Sequence, residues 1–166
     1  MRNPILYLFI SLFLLGQPAR ADTYVVPSQG EPIASVNIPN SWNPEPYELG
    51  VKAVSPDGLV FWMFEEVNGS DVENAAKNGM KYFVDQGVIV DEKTIRETEG
   101  QVNGMKAFDM SFQGTDNIGP ANLGMTIVAT NRPNKFVIML YWGDSKGEKA
   151  NAKDITAISQ SIQPAK

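Results

Sequence analysis

The stretch VFWMFEE, residues 60–66, decides how this chain folds. Side chains alternate between the two faces of a β-strand, so Trp62 and Phe64 would point one way while Phe61 and Met63 point the other. Both sets are apolar. A strand of a sheet with one wet face would instead alternate apolar and polar residues. The stretch therefore predicts a central strand that is covered on both faces.

A second two-faced strand, KFVIMLYW (135–142), is predicted on the same grounds. Such strands need cover on both sides, and the sequence offers two amphipathic helices. One begins at the capping box Ser70-Asp71-Val72-Glu73 and ends near Gly87, a residue suited to the position after a last helical turn. The other lies within residues 146–162, with Pro164 beyond its end.

Turn signals separate the remaining strands and make neighbours antiparallel. Ser55-Pro56-Asp57-Gly58 has the form of a β-turn, and Asn103-Gly104 is a strong hairpin signal. The predicted strands are 33–38, 47–55 and 59–67 before the first helix, and then 93–102, 105–114, 123–130 and 135–142. The order predicts an α+β protein: an α/β/α sandwich on a central, mainly antiparallel sheet of about six or seven strands.

The first 21 residues have the form of a signal peptide. An apolar run follows Arg2, and Ala19-Arg20-Ala21 is a small-x-small site, so cleavage is expected between Ala21 and Asp22. A membrane anchor is disfavoured because a spanning helix needs about 20 apolar residues and this run is shorter. We expect a periplasmic or secreted protein with no transmembrane segment in the mature chain. Residues 22–31 are predicted to be a flexible lead-in, and 32–166 a single domain.

Charge and residue content exclude several functions. Cleavage removes Arg2 and Arg20, so Lys+Arg falls from 14 to 12 against 19 Asp+Glu, and the formal net charge moves from −5 to −7. An acidic surface repels phosphate backbones, which argues against a nucleic-acid partner. The chain has neither His nor Cys. This removes Cys and Ser-His nucleophiles and the usual zinc sites, and we predict no metal and no other cofactor.

Carboxylates are the remaining catalytic candidates. Glu65 and Glu66 are adjacent, so they point to opposite faces of a strand and cannot act as a pair unless the strand has ended. A glycan hydrolase needs two acids about 5 to 10 Å apart. Asp109 alone interrupts an apolar strand face, so no such pair is visible. We expect no enzymatic activity, and a carboxylate-based glycan hydrolase remains an alternative.

The other candidate residues suit recognition. Trp42 lies in a loop between two prolines, where it either lines a binding groove or plugs the end of the sheet. Tyr47, Glu65 and Glu66 join Trp42 as candidate partner-binding residues.

Together, these elements resemble the superfamily of the photosystem II subunit PsbP and the Ran-binding Mog protein, which bacteria also carry as exported domains. The resemblance covers about residues 32–164. It rests on Ile38-Pro39-x-x-Trp42, the hairpin into the two-faced strand, the helix capped at Ser70, Asn103-Gly104-Met105-Lys106-Ala107, and Ser161-Ile162-Gln163-Pro164. These are packing and turn signatures, so the resemblance implies a fold and a mostly non-enzymatic binding or assembly role, and it assigns no site residue.

The function expected from the sequence is therefore that of an exported, non-enzymatic binding or assembly protein of the cell envelope. Its partner would be a protein or another envelope component. An inhibitor or immunity protein that blocks another enzyme through its acidic surface is a further alternative.

Overall fold

A computed structural model of the chain describes residues 20–69 and 72–165. Most of the predicted signal peptide lies outside these ranges, as do Ser70 and Asp71 of the predicted capping box. The elements within these ranges are β1 (Ala21–Val26), β2 (Ala34–Pro39), β3 (Glu45–Tyr47), β4 (Gly50–Val54), β5 (Val60–Asn68), α1 (Val72–Asp85), β6 (Ile89–Val102), β7 (Met105–Thr115), β8 (Pro120–Ala129), β9 (Lys135–Asp144), α2 (Ser145–Ser161) and β10 (Gln163–Pro164).

The described strands form two sheets. The main sheet has seven strands in the order β3-β4-β5-β9-β8-β7-β6, and a smaller sheet has three in the order β1-β2-β10. Every neighbouring pair in the main sheet is antiparallel. The predicted mainly antiparallel sheet of about six or seven strands is confirmed.

The two-faced strands lie inside the main sheet, as predicted. β5 pairs with β4 on one side and with β9 on the other, which places Trp62 between Ala53 and Tyr141. Phe64 is fully buried on one face of β5, and Met63 packs into the apolar core on the opposite face. Both faces of the strand are covered, which explains its unbroken apolar run.

The two faces of the main sheet carry separate apolar cores. One core joins β5 and β9 to the small sheet and to α2, and it includes Val36, Trp42 and Ile158. The other lies under α1 and includes Phe83 and Leu140. The α/β/α sandwich predicted from the sequence is confirmed, with the small sheet sharing a layer with α2.

The predicted flexible lead-in is wrong at its first residues. Asp22 to Val26 form most of β1, which pairs with β2 in register from Ala21 opposite Pro39 to Val26 opposite Ala34. Only Val26 is fully buried in this strand. A strand at the edge of a small sheet needs few apolar residues, so its sequence carries little of the alternation that marks a buried strand. The predicted cleavage residues, Ala21 and Asp22, both lie in β1.

The predicted strand 47–55 is divided in the structure into the end of β3 and β4. Gly50 begins β4, and a Cβ atom at this position would lie 1.8 Å from the Phe64 backbone oxygen. The close approach of β5 therefore requires glycine here. β6 also differs from its prediction, since it begins at Ile89 and breaks register between Asp91 and Arg96.

The hairpin at Asn103-Gly104 is confirmed. Asn103 has φ 50° and Gly104 has φ 81°, as the tight turn between β6 and β7 requires. The Asn103 Nδ2 group also donates hydrogen bonds of 2.6 Å to the carbonyl oxygens of Gln160 and Ile162. The turn thereby anchors the end of α2 to the sheet. No helix in the described ranges is both long and apolar enough to cross a membrane.

Candidate functional site

A groove lies at one end of the main sheet, between the last turn of α1, the β4–β5 turn and the β7–β8 turn. Its volume is about 360 Å³. We call it the aromatic groove and define it by six of its lining residues: Lys52, Val54, Phe61, Tyr82, Ile118 and Trp142. The helix α1 leaves this part of the sheet face only partly covered.

Three aromatic rings shape the groove. Phe61 and Tyr82 are stacked, with ring centroids 5.6 Å apart and an angle of 18° between the ring planes. Phe61 on β5 pairs with Trp142 on β9, so the two side chains share a face of the sheet. The Trp142 Nε1 group donates a 2.9 Å hydrogen bond to Asp116 Oδ2, which fixes the indole at the groove wall.

Exposed apolar side chains stand beside these rings. Ile118 is 64 % exposed and Val54 is 38 % exposed. Ile118 lies in the β7–β8 turn, whose backbone is held by Asp116 Oδ1 through hydrogen bonds from the amides of Ile118 (2.7 Å) and Gly119 (3.0 Å). The ordered turn thus keeps the large aliphatic side chain of Ile118 exposed to solvent at the edge of the aromatic groove.

Each carboxylate that lines the groove already accepts a hydrogen bond within the fold. Glu45 forms a 2.9 Å ion pair with Lys52 on the neighbouring strand. Asp116 binds Trp142 and its own turn. Asp144 caps the N-terminus of α2 by accepting from the Gly147 amide at 2.5 Å. Within the described ranges, no group of three or more Asp and Glu side chains is placed to hold a metal ion.

Trp42 does not line a groove. The structure buries it completely, in a one-turn 3₁₀ helix at Asn40–Trp42. Its Nε1 group donates a 3.1 Å hydrogen bond to Asp154 Oδ2 on α2. Of the two roles that the sequence left open, the structure supports the core role, and Trp42 is not available to a partner.

Tyr47 at the end of β3 and Glu65 on β5 are brought together. Burial, and after it the charge of Glu65, raise the pKa of Tyr47 above its ordinary value. The Tyr47 hydroxyl is buried but makes no standard hydrogen bond with any described residue. Burial raises the pKa of the Glu65 carboxyl, an effect partly offset by Tyr47. Tyr82 lines the cavity that Glu65 also lines, so the pair lies next to the aromatic groove.

Glu66 lies on the opposite face of β5 from Glu65. It forms an ion pair with Lys135 of β9, and its side chain is only 12 % exposed. The two acids therefore do not form a catalytic pair. Glu66 is also held by its own partner within the fold, which leaves Tyr47 and Glu65 as the candidate residues nearest the groove.

The sequence missed most of the groove. Phe61 and Trp142 were interpreted only as core residues of two-faced strands, and Tyr82 was not singled out on its helix. One signal was available: Ile118 is the single large aliphatic residue in an otherwise polar turn, TDNIGPAN (115–122). Such a residue in a turn marks an exposed apolar side chain.

Comparison with known proteins gives a fold and no family. No protein-family model matches the sequence, and no curated protein matches it. Cyanobacterial PsbP (CyanoP) from Synechocystis sp. PCC 6803 is similar with a TM-score of 0.57 at 10 % identity, over 90 % of this chain and 95 % of that one. LpqN, involved in cell envelope biogenesis of Mycobacterium tuberculosis, is similar with a TM-score of 0.54 at 10 % identity, over 88 % and 92 % of the two chains.

A third similar structure belongs to a longer protein. A protein from Bacteroides thetaiotaomicron VPI-5482 has a TM-score of 0.52 at 14 % identity, over 80 % of this chain. This chain spans only 45 % of the length of that protein. At such identities the likenesses concern the fold alone, and they confirm the PsbP-type fold predicted from the sequence.

Proposed function

We propose that this chain is an exported, non-enzymatic binding or assembly protein of the cell envelope, and that it recognises a protein partner through the aromatic groove. One observation carries the proposal. The groove joins three aromatic rings to exposed aliphatic side chains, while every carboxylate that lines it is already hydrogen-bonded within the fold.

The groove has the composition of a protein-recognition pocket. Binding energy at interfaces concentrates in a few aromatic and apolar anchors that fill well-packed pockets. A volume of about 360 Å³ lies near the lower end of the ~300 to 1,000 Å³ typical of ligand pockets. It suits one large apolar side chain of a partner, packed between Tyr82 and Trp142. The Glu45–Lys52 ion pair supplies a polar rim.

We propose that the chain has no hydrolase activity because the carboxyl group of Glu65 lacks a second carboxyl group beside it within the described ranges. A hydrolase needs one carboxyl group to donate a proton and a second to act as base or nucleophile. Burial gives Glu65 the raised pKa that a general acid needs. The cavity that Glu65 lines contains no second acid, since its other lining residues are Met63, Val67, Ala75, Asn78, Gly79, Tyr82, Ile138 and Leu140.

The envelope location is proposed from two observations. Residues 1–21 have the form of a signal peptide. The similar structure of LpqN belongs to a protein involved in cell envelope biogenesis. The proposal predicts that the mature chain begins at Asp22, which leaves five of the six β1 residues paired with β2.

The test compares capture of envelope proteins by three purified chains. Ile118→Ser removes an exposed side chain at the groove, and Ile89→Ser removes one that is 75 % exposed on another element. We expect quantitative mass spectrometry to find a protein that wild type and Ile89→Ser retain and Ile118→Ser loses. Equal retention of every captured protein by all three chains would refute recognition through the aromatic groove. Glycan turnover that Glu65→Gln abolishes would refute the non-enzymatic role.

A further inference from the structure

The strand β6 forms one edge of the main sheet. It pairs with β7 on one side, and in the parts of the chain that the structure describes no segment pairs with its other side. β6 has 14 residues, whereas β3 at the opposite edge has three. Residues 96–101 are all exposed. A long unpaired edge offers backbone N–H and C=O groups to an added strand.

The first half of β6 is closed to such pairing. Its register with β7 shifts between Asp91 and Arg96. Inside the shift, the Thr94 hydroxyl donates to the Asp91 carbonyl at 2.6 Å and accepts from the Gln113 amide at 2.8 Å. A bulge of this kind twists an edge away from neighbours. Beyond the shift, pairing with β7 is regular from Arg96 to Val102, and we call residues 96–102 the open edge.

The open edge is acidic on the face that carries α1. Glu97 is paired with Met110 of β7 and Glu99 with Phe108, so both acids share that face with apolar residues. Glu99 and Phe108 also line an apolar groove of about 840 Å³. A side chain that an added strand places here would fit best with a long aliphatic stem and a positive head, which describes Lys and Arg.

On the opposite face of the open edge, Gly100 leaves a space that no described side chain fills. Gly100 is paired with Ala107, and a Cβ atom at Gly100 would meet nothing within 4 Å. Both residues line a second groove of about 670 Å³, together with Thr98 and Met139. A glycine on an edge strand is stabilised when a large side chain on the next strand covers it. The residue opposite Gly100 would therefore be bulky and apolar.

A second copy of this chain fits the open edge poorly. Antiparallel edge-to-edge pairing of two copies about a twofold axis aligns the whole of 96–102 only when Glu99 lies directly opposite its own copy. Like charges directly opposite each other on neighbouring strands are destabilising. The charges of Glu97 and Glu99 favour a basic partner strand instead.

We propose that the open edge binds an extended segment of a protein partner as an added strand, and that this segment alternates basic residues with bulky apolar ones. The basic residues lie opposite Glu97 and Glu99, and an apolar residue covers Gly100. None of residues 96–102 lines the aromatic groove, whose strand residues lie mainly on β4, β5 and β9. The inference shares with the proposed function only its protein partner, and it adds a second surface.

The probe is a short synthetic peptide that alternates lysine with valine and carries phenylalanine at one central valine position. Its affinity is measured by calorimetry, and amide hydrogen exchange locates it. We expect slower exchange at alternate amides within 96–102. The same peptide with N-methyl groups on its pairing amides keeps its charge and loses its donors, so we expect it to bind about tenfold more weakly. Equal affinity of the two peptides would overturn strand addition.

Two variants test the two faces. Glu97→Lys with Glu99→Lys should weaken binding roughly tenfold, because attraction becomes repulsion on one face. Gly100→Val should fold normally, since the site is open and valine suits a strand, and it should weaken binding of the phenylalanine peptide roughly tenfold by filling the gap. Unchanged affinity in either variant would refute the proposed side-chain pattern.

A control separates this inference from the proposed function. Ile118→Ser alters only the aromatic groove, so it should leave peptide affinity unchanged, and a loss of affinity would place the peptide in that groove and overturn the inference. Sedimentation of the chain alone should show no self-association that Glu99→Lys alters. Such self-association would identify a second copy as the occupant of the open edge.

Discussion

Replacement of Trp42 tests how the small sheet, the 3₁₀ turn and α2 are held on the main sheet. The side chain is completely buried in the larger apolar core. Removal of a buried tryptophan to alanine costs ~3 to 5 kcal/mol, because the lost contacts leave a cavity. For a domain of this size, about 3 °C is lost per kcal/mol, so Trp42→Ala should lower the melting temperature by roughly 10 °C.

The hydrogen bond of Trp42 can be separated from its burial. The Nε1 group donates to Asp154 Oδ2 at 3.1 Å. Trp42→Phe keeps an apolar ring and loses this bond, and a bond to a charged acceptor contributes ~1.5 to 3 kcal/mol. A double-mutant cycle with Asp154→Ala should therefore give a coupling energy of about 1.5 to 3 kcal/mol.

Urea unfolding followed by far-UV circular dichroism gives these free energies. Trp62→Phe is the control, since Trp62 is also buried but its Nε1 group donates no hydrogen bond to any described residue. An unchanged unfolding midpoint for Trp42→Ala would place Trp42 at the surface. It would also refute the argument that a loop tryptophan between two prolines closes the core under α2.

Two further perturbations test the site and the hairpin. Because burial raises the folded-state pKa of Glu65 above its ordinary value of 4.5, the charged form costs stability once the pH exceeds that value. Glu65→Gln should therefore have a higher melting temperature than wild type near neutral pH, and the same melting temperature as wild type at a pH below 4.5. The same difference in melting temperature at both pH values would contradict the burial argument. Asn103→Gly keeps the positive φ of the turn but loses two hydrogen bonds to the end of α2. Urea unfolding should therefore show that the free energy of unfolding falls by ~1 to 3 kcal/mol. Asn103→Ala should lose more stability, because alanine also strains the turn. Equal stability of Asn103→Gly and wild type would contradict the role of those bonds.

Local patterns determined the elements that the sequence predicted well. The two-faced run of β5 and the Asn103-Gly104 turn are each specified by neighbouring residues, so their positions could be predicted within a residue or two. β1 was missed because pairing at the edge of a small sheet requires little apolar sequence. The role of Trp42 was left open because its burial depends on α2, which is more than 100 residues away, as the bond to Asp154 shows.

The candidate site depends on which strand residues the helix α1 covers, and the pattern of residues along a strand does not predict this. Phe61 and Trp142 belong to strands that are apolar on both faces, and this pattern predicts burial for every apolar residue of the strand. The position of α1 decides which of them remain partly exposed. A helix of 14 residues covers only part of a seven-stranded sheet, and the aromatic groove is one of the parts that it leaves uncovered. The prediction that Glu65 and Glu66 cannot act as a pair needed only alternation along one strand, and the structure places them on opposite faces.

Site-specific photo-crosslinking of the exported chain in its native cells tests directly whether the aromatic groove binds a protein partner. A photoreactive residue replaces Ile118 at the aromatic groove in one chain and Ile89, the more exposed of the two, in another. We expect one discrete protein adduct from position 118 that position 89 does not give. We also expect Tyr82→Ser to reduce this adduct while the chain remains folded by circular dichroism. The same adducts from both positions, or none from position 118, would contradict recognition through the aromatic groove.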